Sequence, residues 1–491
     1  MPEKRQQVGY KERVAEAMAL SARMARLDSI RAKGGFEAAV IDQFAEFLDS
    51  ATDEQLFRMS PLRYAAEHKI EETVAINLFL HAAHAGLLDF NWGVLCPLCG
   101  GFITTSGGLQ SLQQKMNCGL CRMPVTTSVD DNVEVAFTVS PSVRKIRFHQ
   151  PDQLTSIQDV LTVFFSTSVA DIERKKEIIS SGAILTGLLK PGTTELDTKL
   201  TPGTYSLGSP LEHANIDIVI SKDADAKDVT IEHVDGEFIP GEITLAPGEQ
   251  HFTIRNRVGR SRAYGLIRDP EKLMNDSFGK PGNKPTPLFT PYLGGKRLVT
   301  TQTFRDLFRS ESIPSGNGLE FKNLTLLFTD LKGSTEMYRR IGDFKAYAIV
   351  REHFALLKMI VAKSGGAVVK TIGDAIMASF SDPAEALAAA VHMNREIKNV
   401  GMGEDLVLKI GVHSGPCIAV ELNERLDYFG QTVNIAARVQ GVANAGEIVV
   451  SPEVYGAPRV RDVLSEAKLK AKADSVALKG VGDHFEVYRL V

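Results

Sequence analysis

Leu324-Thr325-Leu326-Leu327-Phe328-Thr329-Asp330-Leu331-Lys332-Gly333-Ser334-Thr335 is an apolar run that delivers a carboxylate into a Gly-Ser-Thr turn. It is answered forty residues on by Lys370-Thr371-Ile372-Gly373-Asp374, whose acid sits at the tip of a predicted hairpin. Two acids brought together in this way can hold two divalent cations. Residues N-terminal to Asn323 read as equipment attached to that pair.

Outward from these motifs, residues 321–491 are predicted to run strand, helix, hairpin, helix, strand, hairpin, helix, strand, an α+β pattern around one sheet. Helices are expected over Thr335–Ser364, Pro383–Asn399 and Thr432–Val442. Two further motifs fall in this segment: Gly411-Val412-His413-Ser414-Gly415, and Asp427-Tyr428-Phe429-Gly430-Gln431-Thr432-Val433-Asn434-Ile435-Ala436-Ala437-Arg438. Any one motif is weak evidence. In this order and spacing they strongly resemble the catalytic domain of class III nucleotidyl cyclases, a ferredoxin-like α+β domain, over about a third of the chain.

The resemblance implies roles position by position. Asp330, Leu331 and Asp374 correspond to the metal-binding set for two Mg²⁺ or Mn²⁺, which assist attack of the ribose 3′-hydroxyl on the α-phosphorus. Gly333, Ser334 and Thr335 open a helix, and backbone N–H groups from Leu331 to Thr335 are placed to receive the β- and γ-phosphates. Lys370 and Asp427 correspond to the purine-reading pair. A Lys donor and an Asp acceptor complement adenine N1 and N6, whereas guanine reverses that pattern. Asn434 and Arg438, four apart on one helical face, correspond to the residues that orient the ribose and bind transition-state charge. Lys479 resembles a triphosphate-contacting lysine. The expected activity is conversion of ATP to cyclic AMP and pyrophosphate. In this family the two halves of the site come from opposite subunits, so a head-to-tail homodimer is expected. The alternative is a non-catalytic, nucleotide-binding signalling module of the same fold.

Upstream, helical patterns are expected around 8–32, Phe36–Leu48, Pro61–Glu67 and Glu71–Ala85. The segment 1–92 is therefore read as helical and winged-helix-like. The third of the compact helices contains no Lys or Arg and begins with two Glu, which argues against a DNA-reading role. His81 and His84, three apart, are metal candidates, with ordinary packing as the simpler alternative. Cys96-Pro97-Leu98-Cys99 and Cys118-Gly119-Leu120-Cys121 have the spacing of a zinc ribbon, placed at 93–128 and expected to hold one structural Zn²⁺. A redox-responsive site is the alternative. Residues 129–300 carry alternating strands and recurrent Pro-Gly pairs and are read as a β-rich, sandwich-like domain. Val133, Val135, Phe137 and Val139 predict a half-buried strand there, and Phe238 to Gly248 resembles a strand pair of cupredoxin-like sandwiches. No cysteine lies between Cys121 and Cys417, which excludes a blue-copper site. Residues 278–297 are expected as a long surface loop. A linker over 301–320, holding an amphipathic stretch from Thr303 to Glu311 and the breakers Pro314 to Gly318, leads to the cyclase-like segment.

At 491 residues, the chain has room for three or more compact units. Its 44% hydrophobic and 24% charged residues are those of a globular protein, and a net charge of −4 argues against a nucleic-acid-coating role. The sequence has no 18-residue apolar run and no apolar signal core, so no membrane association and a cytoplasmic location are expected. Four of the five cysteines lie in the two Cys-x-x-Cys pairs, in keeping with a reducing compartment.

Overall fold

The computed structural model describes residues 21–33, 35–108, 115–121, 124–154, 156–278, 288–309, 319–397, 406–422 and 425–491. The start of the helix expected around 8–32, the middle of the 278–297 loop and the breaker cluster Pro314 to Gly318 lie outside them. Among the described residues no helix is long and apolar enough to cross a membrane. The chain divides into two compact units: the described residues up to Leu293 form the first, except Ser128–Asp131, which join Gly294–Val491 in the second.

The first unit opens with a helical stretch over residues 21–32, followed by three helices: α1 (Ala38–Ser50), α2 (Pro61–His68) and α3 (Glu72–His84). α1 buries Ile41, Phe44 and Leu48, one stripe at helical spacing. α2 starts where Ser60 Oγ accepts from Arg63 N–H with Pro61 at its first position, and it ends at Lys69 in the left-handed region. α3 packs Ala75, Ile76, Leu78, Phe79, Leu80 and Ala82 inside, and His81 stands edge-on to Phe36 with ring centroids 5.4 Å apart. The strand that follows, β1 (Leu88–Leu95), pairs antiparallel with β2 (Phe102–Ser106) and β5 (Val133–Val139). Between these come the short hairpin strands β3 (Lys115–Asn117) and β4 (Pro124–Thr126).

β5 departs from the expected half-buried strand, because all seven of its residues are buried. Its polar members find partners in other segments: Glu134 Oε1 accepts from Ser168 Oγ at 2.8 Å, and Thr138 Oγ1 accepts from Arg58 N–H at 3.1 Å, while Glu134 Oε2 is buried without a hydrogen-bond partner. Helices α4 (Ile157–Phe164) and α5 (Ile172–Gly182) lead to nine strands, β6 (Ala183–Leu189), β7 (Gly192–Leu200), β8 (Gly203–Ser209), β9 (Ala214–Ile220), β10 (Asp228–Val234), β11 (Glu237–Ile239), β12 (Glu242–Leu245), β13 (Gly248–Asn256) and β14 (Arg262–Arg268). They form a four-stranded sheet, β11-β10-β13-β7, and a five-stranded one, β12-β9-β8-β14-β6, over a shared core that includes Ile216, Ile218, Ile231, Phe252 and Ile254. The predicted strand pair after Phe238 is split between them: β11 pairs with β10, while β12 joins β9 in the other sheet. The chain changes sheets at Pro240-Gly241, so the local pattern found two strands but not their partners. Helix α6 (Pro270–Phe278) closes this run.

The second unit opens with α7 (Gly295–Val299) and α8 (Gln302–Leu307), so the end of the expected 278–297 loop is helical. Its sheet runs β16-β17-β15-β18-β20-β22-β21. The central strands are β15 (Leu319–Leu331) and β18 (Leu408–Leu422), flanked by the hairpin β16 (Ala367–Ile372) and β17 (Ala375–Phe380). β19 (Arg425–Phe429) pairs with β18, and β20 (Ile448–Val450), β21 (Ala471–Leu478) and β22 (Gly482–Leu490) complete the set. Every pairing is antiparallel except β18 with β20. The single helix expected over Thr335–Ser364 is two, α9 (Ser334–Ile341) and α10 (Asp343–Lys363), broken at Gly342 with φ 81°. α11 (Pro383–Glu396) begins at Asp382, whose side chain caps Ala384 N–H, and α12 (Gln431–Gly441) follows β19. One core joins α10 and α11 to Leu327, Ala378, Ile410 and Val412 of the sheet, and a smaller one seats Val439 of α12 against Val449 and Val487.

Candidate active site

Asp330 reaches its place because β15 is apolar up to the edge of the sheet and then turns. Leu324, Leu326 and Leu327 are fully buried, whereas Asp330 is half-buried opposite Lys409 of β18. Thr329 Oγ1 accepts from Ile376 N–H at 3.2 Å, tying the end of β15 to the start of β17. Asp374 sits in the turn between β16 and β17, made possible by Gly373 at φ 64°. Burial and then the Asp374 charge push the Asp330 carboxyl upward, with Lys409 opposing. Asp374 Oδ2 is buried and has no hydrogen-bond partner. Two partly desolvated carboxylates, one with an orphaned oxygen, form the donor set a divalent cation relieves. Leu331 buries its side chain, so only its main chain can contribute. Gly333, in the left-handed region, precedes α9, and Ser334 and Thr335 form its first turn. Lys332 N–H is spent on Val407 O at 2.9 Å, so the amides from Gly333 to Thr335 are the better anion donors of the expected run.

Lys370 of β16 and Asp427 of β19 meet: Nζ donates to Oδ2 at 2.6 Å, with the Asp side chain 12% exposed and the Lys 41%. Asp427 Oδ1 accepts from Tyr428 N–H at 2.8 Å, which fixes the carboxylate plane. Asn434 and Arg438 lie on α12, the first exposed and the second half-buried. The Arg438 guanidinium lies against the turn after β21, with Nη2 3.6 Å from where a Gly480 Cβ would stand, so Arg438 and the exposed Lys479 share one corner. Among the described residues no hydrogen bond or ion pair joins Asp427, Asn434 or Arg438 to Asp330 or Asp374.

The Gly411–Gly415 motif gains a physical reason. A Cβ on Gly411 would meet Gln440 N at 2.2 Å, and one on Gly415 would meet Thr432 Oγ1 at 2.7 Å. The glycines let the α12 backbone lie directly on β18, which sets the height of Asn434 and Arg438. His413 between them bonds Ser451 Oγ at 2.8 Å, and its Nδ1 stands 3.4 Å from Glu453 Oε2.

Three groups escaped sequence reasoning. Gln302 Oε1 of α8 accepts from Val368 N–H at 2.8 Å, on the strand that carries Lys370. Arg305 Nη1 donates to Leu426 O at 2.7 Å beside Asp427, with its guanidinium 5.3 Å from the Tyr428 ring centroid. The pre-domain helix thus braces both strands of the Lys370–Asp427 pair, and its short polar stretch carries no motif that announces this. His353 of α10 is fully buried without ring hydrogen bonds; burial pushes its imidazole down while nearby Asp374 opposes.

In the first unit, Cys96, Cys99, Cys118 and Cys121 converge with their sulfurs within 4.8 Å of one another. Cys96 and Cys121 Sγ are 3.8 Å apart, and Cys99 and Cys118 Sγ are 3.7 Å apart. A regular tetrahedron with metal–sulfur bonds of about 2.3 Å has edges of about 3.8 Å, so the four thiols fit one zinc-sized ion. Gly101 N–H donates to Cys99 Sγ at 3.4 Å, an orienting bond of the knuckle. Hydrogen bonds from the other thiols, Cys118 foremost, pull Cys96 well below the ordinary thiol range. His81 and His84 join no such cluster among the described residues.

Residues 21–306 match the family of unknown function DUF5939, and residues 318–491 match the adenylate and guanylate cyclase catalytic domain. An adenylate cyclase of Lachancea kluyveri is 30% identical over 154 residues, 27% of this chain and 8% of that protein. Guanylate cyclase 32E of Drosophila melanogaster is 28% identical over 164 residues, 30% of this chain and 14% of that protein. The chain therefore spans only a small part of these curated relatives. The adenylyl cyclase CyaB from P. aeruginosa, a solved structure, aligns at 23% identity and TM-score 0.32 over 36% of this chain and 96% of its own. With more than half of its residues in the first match and a C-terminal third in the second, the chain belongs to the DUF5939 family and carries an adenylate and guanylate cyclase catalytic domain.

Proposed function

We propose that the chain is an adenylate cyclase, converting ATP to 3′,5′-cyclic AMP and pyrophosphate at sites shared between two subunits arranged head to tail. The observation that carries this is the Lys370–Asp427 pair at 2.6 Å, a donor and an acceptor fixed side by side. Adenine presents an acceptor at N1 and a donor at N6, matching Lys and Asp, and guanine presents the opposite.

Mg²⁺ or Mn²⁺ held by Asp330, Asp374 and the Leu331 main chain would lower the pKa of the ribose 3′-hydroxyl and neutralise triphosphate charge. The chain's own groups do the rest. Amides at the start of α9 bind phosphate oxygens, Lys479 adds charge, Asn434 orients the ribose, and Arg438 receives the charge growing at the α-phosphate as pyrophosphate leaves. That no hydrogen bond or ion pair joins Asp330 or Asp374 to Asp427 or Arg438 among the described residues supports a shared site. So do exposed apolar side chains of the same domain: Ile372 between Lys370 and Asp374 in sequence, Phe429 two residues from Asp427, and Phe344 at 94% exposure on α10. A second copy of the domain would cover them. The four-cysteine cluster is read as a structural Zn²⁺ site, with all four positions taken by protein. The DUF5939 region is read as regulating or organising the dimer.

The test is purified full-length chain assayed with ATP and GTP in parallel, under Mg²⁺ and Mn²⁺. Cyclic AMP from ATP, with GTP much the poorer substrate, is expected. Asp330→Ala and Arg438→Ala should each lose about two to three decades in rate, and their mixture should regain activity through one intact site. An inactive mixture containing demonstrated heterodimers refutes the shared site, and no product from either nucleotide refutes catalysis.

A further inference from the structure

The helix α8 closes the DUF5939 match, residues 21–306, yet its side chains are spent on the strands that carry Lys370 and Asp427. Among the described residues both strands are edges: β16 pairs with β17 alone, and β19 with β18 alone. An edge strand presents main-chain groups that have no partner in the sheet. Gln302 Oε1 accepts from Val368 N–H at 2.8 Å, where the register shifts between Val368 and Lys370. Arg305 Nη1 donates to Leu426 O at 2.7 Å, and its guanidinium carbon lies 5.3 Å from the Tyr428 ring centroid. Arg305 therefore holds the residues on either side of Asp427.

Sheet hydrogen bonds do not set the gap between these two strands. β17, β15 and β18 stand between β16 and β19 in the pairing order, so the 2.6 Å approach of Lys370 Nζ to Asp427 Oδ2 depends on the curl of the sheet and on whatever bridges both strands. α8 is such a bridge. Gln302 and Arg305 are three apart, on one helical face. The helix is anchored in turn: Phe304 is buried, Gln302 Nε2 donates to Asp306 Oδ1 at 3.1 Å, and Lys358 Nζ of α10 donates to the same oxygen at 2.9 Å. We propose that Gln302 and Arg305 are positioning residues for purine choice, holding Lys370 and Asp427 at the spacing that accepts adenine and rejects guanine. This rests on the reading of Lys370 and Asp427 as the pair that meets the base.

A site that reads a base by hydrogen bonds discriminates only while donor and acceptor both reach the base edge, and a shift of about 1 Å is enough to spoil such geometry. Loss of the Arg305 bond frees the Leu426–Tyr428 segment, and loss of the Gln302 bond frees Val368, so each acts on a different member of the pair. Both act through strands that hold neither Asp330 nor the first turn of α9. Their effect falls on the choice between purines more than on triphosphate affinity. A helix that lies outside the cyclase motifs thus sets the selectivity of the cyclase domain.

Calorimetric titration of the full-length chain with 3′-deoxy-ATP and 3′-deoxy-GTP in Mg²⁺ tests the proposal, since both lack the attacking hydroxyl and report base choice without turnover. The natural chain should prefer the adenine analogue by about tenfold or more, and Asp427→Ala should abolish the preference. Arg305→Met, which keeps apolar packing over Tyr428 and removes the donor, should bring the preference most of the way to unity with an unchanged urea midpoint. Gln302→Met, at the other strand, should do the same, and Arg305→Lys, which keeps a donor for Leu426 O, should retain most of it. Equal affinities in the natural chain, or a preference untouched by Asp427→Ala, would refute the base-reading pair itself. A preference lost in Asp427→Ala but kept in Arg305→Met and Gln302→Met would overturn the positioning role alone, whether or not their urea midpoints fall. Arg305→Lys behaving like Arg305→Met would overturn the part assigned to the Leu426 bond.

Discussion

Gly411→Ala should damage catalysis from a position that touches no substrate. The added methyl would stand 2.2 Å from Gln440 N and 2.3 Å from Gln440 Cα. Such atoms attract near roughly 3.5 Å, so the backbone of α12 must move away from β18 by about 1 Å. No side chain can turn aside, because the obstacle is main chain. Overpacking of this kind costs about 1–3 kcal/mol, which a domain stable by roughly 5–15 kcal/mol survives folded. The larger effect is on the site: Asn434 and Arg438 ride on the displaced helix, and a misplacement of about 1 Å can cost on the order of 100-fold in rate. The assay is cyclic nucleotide formation beside a urea unfolding curve. A folded variant with kcat down about 100-fold and KM little changed is expected. Gly415→Ala is the control, since its methyl meets Thr432 Oγ1 at 2.7 Å, a side-chain atom that can yield, and it should be milder. Full activity in Gly411→Ala would refute the idea that this contact sets the helix, and lost stability with full activity would restrict the glycine to folding.

Cys99→Ser should remove bound zinc, read by elemental analysis, and cost the first unit more than about 4 kcal/mol; retained zinc with unchanged melting would exclude the closed four-thiolate site. The Glu453 carboxyl is held down to about 2, chiefly by its hydrogen bond with His413. A depressed carboxyl stabilises fully above its ordinary value near 4.5 and loses that contribution as pH falls through about 2. Urea midpoints across that window should fall more steeply in the natural chain than in Glu453→Gln, and parallel curves would show that the pair contributes nothing.

The cyclase domain was largely legible because its signals are local. An apolar strand, a Gly-Asp turn and two residues four apart on a helix are written in adjacent positions, even though the sheet sets β15 between the β16–β17 hairpin and β18 rather than in chain order. The split of the long helix at Gly342 went unread, since one glycine inside a periodic pattern is compatible with either continuation or a break. The burial of β5 on both faces was likewise invisible, because Glu134 and Thr138 look like solvent-facing residues until Ser168, Asn91 and Arg58 arrive from distant segments.

From the sequence alone came the cyclase resemblance, the two acids proposed to bind metal, the Lys370 and Asp427 proposed to read the base, and the paired cysteines, each a choice of residue type at short spacing. Only the tertiary structure decided that Lys370 and Asp427 touch, that α8 braces the strands beneath them, and that Gly411 and Gly415 seat α12. It alone closed β11 and β12 into different sheets. Contacts of that kind depend on which surfaces pack against which, and no short window of sequence contains both partners.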